Sequence, residues 1–388
     1  MKKILALGIS ASLLSGCILD EDSDAKYAPL EAAAIITVSE DFGSSDLVAV
    51  RYDYGTVDSL HPQAYSDVVI SKGENSVYFI NRYGQNNIIK FDQARLGDVS
   101  WQYSVNNSDV ENQESNPHQV IEQSTDNAYV LRYGAAEIWQ VNPNAISDVD
   151  FKVSEINLAQ FDADGIPDMV AAVIHQDILY VALQRLTFGH SDQDSYLVGI
   201  DTSTNQLIDL SPNDDSTLAF TLSVRNPKEL SLSEDNLYLV GVGRYEEKNW
   251  TTGEVILETQ YTGGIEKINL TSFTSEVILD DGDQTTHTYG QLYSVDVSGG
   301  DVVFTGYGAW KSLNTYIQSE GNTPISLDAA IEGMDIRFAK FDLTGQLWVG
   351  VGDTVNPRTL VYAKNDSNQY EVVQTVYTTL LPNSIIFN

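Results

Sequence analysis

Four arginines recur along the chain in the same sequence context, and their chemistry suits them to holding a ligand. The chain contains nine arginines, and four of them, at intervals of 50, 53 and 59 residues, follow short runs of apolar and aromatic residues: Arg82, Arg132, Arg185 and Arg244. A guanidinium group is planar and permanently charged, so it grips a carboxylate, catecholate or phosphate with two hydrogen bonds and also stacks on flat rings. A shared set of such groups predicts a site for a small anionic or aromatic compound.

Aromatic residues and two histidines accompany these arginines. The rings expected beside the guanidinium groups are Tyr83, Tyr133, Phe188, Tyr245, Tyr307, Trp310 and Phe42. His61 and His118 stand next to prolines that open strand-like segments. Aromatic walls with a few converging polar groups are the usual form of a small-molecule pocket. The alternative is that each arginine pairs with one of the 55 carboxylates, which would make the recurrence purely structural.

Residue patterns for catalysis and metal binding are sparse. The five histidines show no spacing typical of zinc ligands, and neither a Gly-x-Ser-x-Gly nucleophile motif nor a phosphate-binding glycine loop occurs. Asp162, Asp164 and Asp168 surround Gly165 with the spacing of a calcium loop, in which oxygen ligands lie two residues apart. Ca²⁺ is thus the one candidate cofactor, although a simple Asp-rich turn is the favoured explanation of the same residues.

The arginines belong to a repeated element. Residues 77–84 (VYFINRYG) recur 51 residues later as residues 128–134 (AYVLRYG), and four further copies follow. A seventh copy is divided between residues 34–38 and 381–387. An internal period of about 50 residues is typical of a propeller or solenoid, and pairing the two chain ends removes open sheet edges. The sequence therefore predicts an all-β fold, a seven-bladed β-propeller with four-stranded blades and a clasp of both chain ends in blade 1.

The expected blade explains why distant residues would share one surface. Each blade is predicted to begin with an inner strand that proline opens, followed by a Tyr-bearing second strand and two outer strands. Loops that leave second strands and loops that enter inner strands open onto one face around the channel. The arginines lie in the first set in blades 2 to 5, whereas blades 6 and 7 carry Gly306-Tyr307 and Gly352-Asp353 there. This asymmetry favours a ligand site. Insertions at 246–262 and 311–330 leave the strands of blades 5 and 6 harder to place.

The repeat resembles a known propeller family. Pro-x-x followed by apolar residues, then Tyr-Val, then Gly, then an apolar-x-Ile-Asp-Thr ending such as residues 198–202, is similar to the YVTN-type repeat. The resemblance covers roughly residues 34–388 and implies architecture more than chemistry. Propeller lactonases and lyases use Arg, His and Glu at this same face, so an enzyme of that type stays an alternative.

The N-terminus predicts export and lipid anchoring. Lys2 and Lys3 precede an apolar run, and residues 14–17 (LSGC) resemble the bacterial lipobox, which is cleaved before the cysteine. Cys17 is the only cysteine, so an internal disulfide is excluded. We expect a signal peptide over 1–16, a lipidated Cys17 with an acidic tether over 17–33, and the propeller over 34–388. By resemblance to the enterobacterial sorting rule, Ile18 implies the outer membrane and leaves the leaflet open. An ordinary secretory signal is the alternative.

Charge limits the partners. The formal net charge is −34, and removal of residues 1–16 takes away two further lysines. Such a surface repels nucleic acid and anionic headgroups. Solubility in a saline environment and the gathering of cations both explain it.

The predicted function follows from three features: the lipid anchor, the propeller, and the aromatic and arginine-bearing face around its channel. The chain resembles propeller lipoproteins of the outer membrane that capture cobalamin or ferric siderophores and pass them to a TonB-dependent transporter, which implies a non-enzymatic binding protein for a siderophore, haem or cobalamin type of ligand. An envelope scaffold for protein partners is the first alternative. A lactonase or lyase type of enzyme is the second.

Overall fold

Seven four-stranded antiparallel sheets form the fold, which confirms the predicted propeller. The computed structural model describes residues 26–108, 113–187, 189–211, 216–244, 246–249, 251–308, 311–319 and 321–388. In blades 2 to 7 the strands follow one another in chain order from the channel outward. The second strands are almost fully buried because β-branched and aromatic side chains on both of their faces pack against the neighbouring blades.

The blades are numbered from the one that joins the chain ends, and their strands are given from the channel outward. Blade 1 contains Leu381–Phe387, Ala33–Val38, Ser45–Val50 and Thr56–Val57, and blade 2 contains Val68–Lys72, Ser76–Asn81, Asn87–Asp92 and Val99–Ser104. Blade 3 contains Pro117–Ser124, Asn127–Arg132, Glu137–Val141 and Lys152–Asn157. Blade 4 contains Met169–His175, Ile178–Leu183, Tyr196–Asp201 and Gln206–Ile208, with Phe220–Thr221 also paired to its third strand.

The remaining blades carry the two predicted insertions. Blade 5 contains Pro227–Ser233, Asn236–Gly241, Gly264–Asn269 and Thr274–Asp280, and its insertion forms a small hairpin of Glu247–Lys248 and Val255–Leu257. Blade 6 contains Gln291–Ser298, Asp301–Gly308, Lys311–Ser319 and Ile325–Ser326. Its third strand, which the sequence left hard to place, therefore lies in the insertion itself. Blade 7 contains Ile336–Phe341, Leu347–Val351, Arg358–Lys364 and Tyr370–Tyr377.

Helical structure is confined to short turns in the part of the chain that the structure describes. Three 3₁₀ helices occur there, at Asp148–Asp150, Ala159–Phe161 and Ala329–Ile331. Among the described residues, no helix has the length and apolar character that a membrane span requires.

The predicted clasp closes the ring in blade 1. Leu381–Phe387 pairs antiparallel with Ala33–Val38, with Ala33 opposite Phe387. All six residues of Ala33–Val38 are buried. One hydrophobic cluster joins this strand to blade 7 through Trp348, and another joins it to blade 2 through Phe79 and Phe91. Burial of each phenylalanine contributes about 1.5–3 kcal/mol, so the two ends of the chain are fixed by packing as well as by strand pairing.

A β-bulge interrupts the inner strand of six blades close to one end of the channel. In each case the pairing with the second strand skips one residue, and the residues skipped are His118, Val170, Lys228, Tyr293, Arg337 and Asn383. Blade 2 pairs without such a shift. A bulged residue leaves the ladder and turns its side chain in a new direction. The bulges therefore supply one unpaired position in each of these six blades around the same end of the channel.

Side chains of the inner strands connect neighbouring blades below this end. Each contact joins a side chain of one blade to a backbone N–H group of the next blade's inner strand: Ser71 accepts from Val120 (3.2 Å), Gln119 from Ala172 (2.9 Å), Glu229 from Val295 (3.1 Å) and Asp296 from Phe341 (2.7 Å). These bonds fix the inner strands relative to one another, so residues on different blades keep constant distances.

Candidate functional site

The site is built at the end of the channel where the inner strands begin, which we call the channel mouth. Arg82 follows the second strand of blade 2 and pairs with Asp67, which precedes the inner strand, at 2.6 Å. Its Nη1 atom lies 3.4 Å from Nε2 of His118 on blade 3. A guanidinium group only donates, so Nε2 of His118 is the acceptor in this contact. Arg82 thus connects the predicted arginine slot to a bulged histidine of the next blade.

His118 is held as a neutral ring. It stacks on Tyr133 with 4.3 Å between ring centroids and 10° between planes. Burial, and then the positive charges of Arg82 and Lys228, lower the pKa of His118 to about 3. The imidazole is therefore uncharged at neutral pH, and the stacked pair presents a flat aromatic surface beside a guanidinium group.

A chain of amide contacts continues from this stack to blade 5. The Tyr133 hydroxyl donates to Oε1 of Gln184 (2.7 Å), and Nε2 of Gln184 donates to the Asn226 side chain and to the Pro227 carbonyl (both 2.8 Å). Burial, and then the charge of Asp168, raise the pKa of Tyr133. Because each polar group has a partner, the rotamers around the mouth are fixed.

Lys228 is the bulged residue of blade 5, and its ammonium group lies over an aromatic ring. Its Nζ atom lies 3.9 Å from the centroid of the Tyr293 ring, which in turn stacks on Tyr307 at 4.8 Å and 18°. No carboxylate of a described residue forms an ion pair with this ammonium group. A lysine that is unpaired among so many acidic residues is able to accept an anion without first losing a partner.

Blades 7 and 1 complete the circuit. Arg337, the bulged residue of blade 7, pairs with Asp335 at 2.7 Å, and its guanidinium carbon lies 5.2 Å from the Phe42 ring centroid. The Phe42 carbonyl accepts a hydrogen bond from Ser66, which leads back to blade 2. Among the described residues, cationic or aromatic side chains therefore border the mouth on the other six blades, and Gln184 and the acidic Asp168 border it on blade 4.

Asp168 adds a titratable group to this surface. Its Oδ2 atom accepts from the Leu186 N–H at 2.7 Å. Burial is the main cause that raises the pKa of Asp168 to about 6, with Asp164 and Asp162 adding to it and the Leu186 hydrogen bond opposing it. The negative charge near Tyr133 thus disappears in mildly acidic solution.

The other three arginines of the predicted set use their donors on nearby loops, and Arg244 of blade 5 reaches Asp192 in a loop of blade 4. Arg132 is fully buried: Nε donates to the Val105 carbonyl at 2.9 Å, Nη2 to Gln113 at 3.1 Å, and the group covers the Trp139 ring at 4.3 Å. Glu137 lies 3.5 Å from it. This guanidinium group joins the loop that enters blade 3 to the second strand of that blade.

Arg185 and Arg244 join loops outside the mouth. Arg185 donates to the Phe161 and Asp194 carbonyls, both at 2.6 Å, and covers the Tyr196 ring at 3.8 Å. Arg244 pairs with Asp192 and also donates to a carbonyl of the blade 5 insertion at 3.3 Å. Of the four predicted arginines, the structure brings only Arg82 together with the rings of the mouth. Ligand binding by any of them stays a prediction.

The remaining predicted residues occupy different places. His61 packs edge-on against Phe79 and Phe91 at 5.4 and 5.2 Å, in the core between blades 1 and 2, where burial lowers its pKa. Tyr83 lies beside the mouth and is largely exposed. Four predicted residues fall outside the described part of the chain: Cys17, Phe188, Tyr245 and Trp310.

The candidate calcium loop is a set of turns. Oδ1 of Asp162 accepts from the Asp164 N–H at 3.3 Å, and Oδ1 of Asp164 accepts from the Ile166 N–H at 2.8 Å. Asp168 faces Leu186 instead. Among the described residues, no group of three or more His, Cys, Asp or Glu side chains is arranged to hold a metal ion. The geometry matches the Asp-rich turn better than the calcium loop.

Three residues of the mouth were not among the predicted ligand-binding residues: Lys228, Tyr293 and Arg337. Lys228 follows Pro227 as His118 follows Pro117, so the residue after proline was an available signal in blades 3 and 5. Tyr293 and Arg337 occupy the equivalent bulges of blades 6 and 7, where no proline stands. Their position depends on a register shift between paired strands, which the order of residues alone does not show.

Comparison with known proteins supports the fold and no finer assignment. No protein-family model and no curated protein sequence matches the chain. It is similar to a putative 6-phosphogluconolactonase from Bacteroides fragilis, with a TM-score of 0.58 and 12% identity over 92% of this chain and 98% of that one. It is also similar to a streptogramin B lyase, with 0.54 and 14% over 83% and 91%, and to virginiamycin B lyase from Staphylococcus aureus, with 0.53 and 15% over 84% and 95%. At such identities the likeness establishes a shared seven-bladed propeller alone.

Proposed function

We propose that the channel mouth binds a small anionic or aromatic compound of the siderophore, haem or cobalamin type, with an anionic group of the compound at Lys228. The observation that carries this proposal is the ammonium group of Lys228, which forms no ion pair with a described residue, lies over the Tyr293 ring and acts electrostatically on His118. An anion held by Lys228 would lie between two stacked aromatic pairs, Tyr293 with Tyr307 and His118 with Tyr133.

The acidic surface does not oppose such a ligand at close range. Charges separated by more than about 8 Å are largely screened at physiological salt. Inside that distance the ligand meets Lys228 directly, whereas Arg82 and Arg337 are already paired with Asp67 and Asp335. The two arginines can add planar hydrogen bonds to a bound carboxylate or catecholate once it competes with those aspartates. Lys228 therefore attracts the anion by its charge, and Arg82 and Arg337 orient it by planar hydrogen bonds.

The protonation state of His118 favours binding over catalysis. A general base is most effective when its pKa lies near the working pH. Burial and two neighbouring cations lower the pKa of His118 to about 3, so the ring is a weak base. Its flat surface and its acceptor contact with Arg82 suit it to positioning a ligand.

Ligand titration of a lysine variant tests the proposal. We expect Lys228→Gln to weaken binding of the tightest compound among haem, cobalamins and ferric catecholate siderophores. Loss of a charge-assisted contact costs about 1.5–3 kcal/mol, which corresponds to a factor of about 10 to 150 in Kd. Isothermal titration calorimetry measures the affinity, and thermal shift finds the compound because a ligand of the native state raises the Tm.

Lys152→Gln is the matched control. Lys152 also lies over an aromatic ring, at 4.5 Å from the Trp139 centroid, but it belongs to the outer strand of blade 3. This variant should bind the same ligand with unchanged affinity. Equal losses in both variants, or an unchanged affinity in Lys228→Gln, would contradict a site at the mouth.

We further propose that Cys17 carries a lipid anchor in the outer membrane and that the mouth passes its ligand to a TonB-dependent receptor. The support comes from the start of the described chain. Ala28 and Leu96 exchange backbone hydrogen bonds of 3.1 and 2.8 Å, and the N–H of Leu30 donates to Gln93 at 2.7 Å. The loop of Gln93 and Leu96 joins the third and outer strands of blade 2, on the face opposite the mouth. A tether from that face leaves the mouth open to a partner.

A further inference from the structure

A second concave site lies on the face opposite the mouth, beside the clasp. This closure groove has a volume of about 510 Å³, and the residues that define its character are Tyr52, Tyr54, Trp348, Phe387, Glu31 and Asp342. It forms where the loop after the third strand of blade 1 meets the first hairpin of blade 7. A volume of about 300–1,000 Å³ is typical of sites for small molecules.

Aromatic rings make the floor and one wall of the groove. The ring centroids of Tyr54 and Trp348 are 5.9 Å apart, and those of Trp348 and Phe387 are 5.6 Å apart. Tyr52 stands at the rim with 68% of its surface exposed, and its hydroxyl accepts from the Asn388 side chain at 3.2 Å. The Tyr54 hydroxyl donates to Gln346 at 3.3 Å. Trp348 is only 1% exposed and packs between Tyr54 and Phe387, so the rings that a ligand can reach are those of Tyr52, Tyr54 and Phe387.

The charges around the groove are negative. Oδ2 of Asp342 accepts from Nε1 of Trp348 at 2.9 Å, and Oε2 of Glu31 accepts from the Tyr52 N–H at 3.0 Å, so both carboxylates are directed to the groove walls. None of the lining residues is Lys, Arg or His. The nearest arginine in sequence, Arg51, is engaged by Asp53 at 3.1 Å. Neither carboxylate is neutralised by a cation that lines the groove.

We propose that the closure groove binds an organic ammonium cation with an apolar body. A positive charge is attracted to the faces of the two tyrosine rings and to the two carboxylates, while the body of the ligand covers the rings of Tyr54 and Phe387. The net charge of −34 adds a field that gathers cations and repels anions. The closure groove is therefore expected to bind cations, whereas the channel mouth is expected to bind anions, so the two sites should have different ligands.

The chemistry excludes two other ligand classes. A simple anion would meet two carboxylates without a compensating base. A zwitterionic lipid headgroup would bring a phosphate within a few ångströms of the same carboxylates, where like charges are unfavourable. A free amine without a neighbouring anionic group fits best.

Three compounds of similar shape distinguish the contributions of charge and apolar contact in the full-length protein. The probes are 2-phenylethylammonium, 2-phenylethanol and 3-phenylpropionate, titrated by calorimetry or by saturation-transfer NMR. We expect the ammonium compound to bind about tenfold more tightly than the alcohol, since cation–π and carboxylate attraction add to the same apolar contact. The carboxylate should not bind. Equal binding of the ammonium compound and the alcohol, or no binding of the ammonium compound, overturns the proposal.

Variants of exposed residues locate the site. Tyr52→Ala should weaken binding of 2-phenylethylammonium about 3- to 30-fold through loss of a ring face. The matched control is Tyr377→Ala, because Tyr377 has a similar exposure of 63% on the outer strand of blade 7. Glu31→Gln should reduce the preference for ammonium over alcohol while the alcohol binds as before. An unchanged affinity in Tyr52→Ala overturns the proposal. Lys228→Gln should leave binding of 2-phenylethylammonium unaffected. The proposal for the closure groove is therefore tested independently of the proposal for the channel mouth.

Discussion

Substitution of Asp168 by asparagine should stabilise the protein at neutral pH. Burial raises the pKa of this carboxyl group to about 6, against about 3.9 in an unfolded chain. A shift of about two units corresponds to roughly 3 kcal/mol, because each unit is worth about 1.36 kcal/mol. Since Asp168 is partly exposed, about 1–3 kcal/mol is the expected penalty of ionisation in the folded state. Asparagine resembles the protonated form and can still accept the hydrogen bond of the Leu186 N–H.

The sign of the pH dependence follows from the protons bound. Between about pH 4 and pH 6 the folded protein holds a proton on Asp168 that the unfolded chain has lost, so its stability falls as the pH rises. Asp281, whose pKa burial also raises to about 6, acts in the same window. The wild-type slope therefore contains both groups, and the difference between wild type and Asp168→Asn isolates one of them.

Urea unfolding at pH 4, 5, 6 and 7 measures this difference. The two proteins should be close in stability at pH 4, and the variant should become more stable by about 1–3 kcal/mol as the pH reaches 7. Parallel stability curves, or a wild type that is more stable at pH 7, would show that Asp168 is ionised in the folded protein at no cost. The assignment of a titrating carboxyl group beside the mouth would then fail.

Two further predictions concern the buried arginine and the anchor. Arg132→Ala should lower the free energy of unfolding by about 2–4 kcal/mol, because it removes buried donors to Val105 and Gln113, and should leave ligand affinity at the mouth unchanged. Urea unfolding measures the stability and calorimetry measures the affinity. Reduced affinity in a stable variant would assign Arg132 to the site. Cys17→Ser should abolish incorporation of labelled palmitate and release the protein from the membrane fraction; persistence of the variant in that fraction would contradict the lipid anchor. In the anchored wild type, a fluorophore at Tyr83 should lie farther from the bilayer than one at Arg95, as energy transfer to labelled lipids would report.

The architecture was predictable because it is repeated. A short segment that recurs about every 50 residues requires one supersecondary unit per repeat, and the split copy at the two ends required a clasp. The structure confirms both features through the pairing of Ala33–Val38 with Leu381–Phe387. The third strand of blade 6, Lys311–Ser319, was not predicted because it lies in a segment that departs from the repeat. Local irregularity hides a strand whose partners are fixed only by the fold.

The composition of the mouth was less predictable, for a physical reason. The arginine slot at the exit of the second strands is repeated, but the side chains that reach the channel come from bulges in the inner strands, such as His118, Lys228 and Arg337. A bulge is a property of two paired strands, so its position is not encoded in one of them. Arg82 reaches the mouth because Asp67 and His118 lie next to it, whereas Arg132 finds its partners in the adjoining loop.

The excess of acidic residues affects which basic side chains can be taken as support for an anion site. With 55 carboxylates and 21 basic side chains, an arginine in a loop has many anionic and carbonyl acceptors within reach, and a paired guanidinium group is the expected outcome. The recurrence of arginine in successive blades is then explained by the repeated sequence as well as it is by a ligand site. In such a chain an ammonium group is expected to be paired, because a nearby carboxylate would lower its electrostatic energy. An ammonium group without a carboxylate partner is therefore the exception. Lys228 is kept in that state by the bulge that directs it over the Tyr293 ring. The lack of a carboxylate partner for Lys228 in the part of the chain that the structure describes is therefore stronger support for an anion site than the number of arginines around the ring.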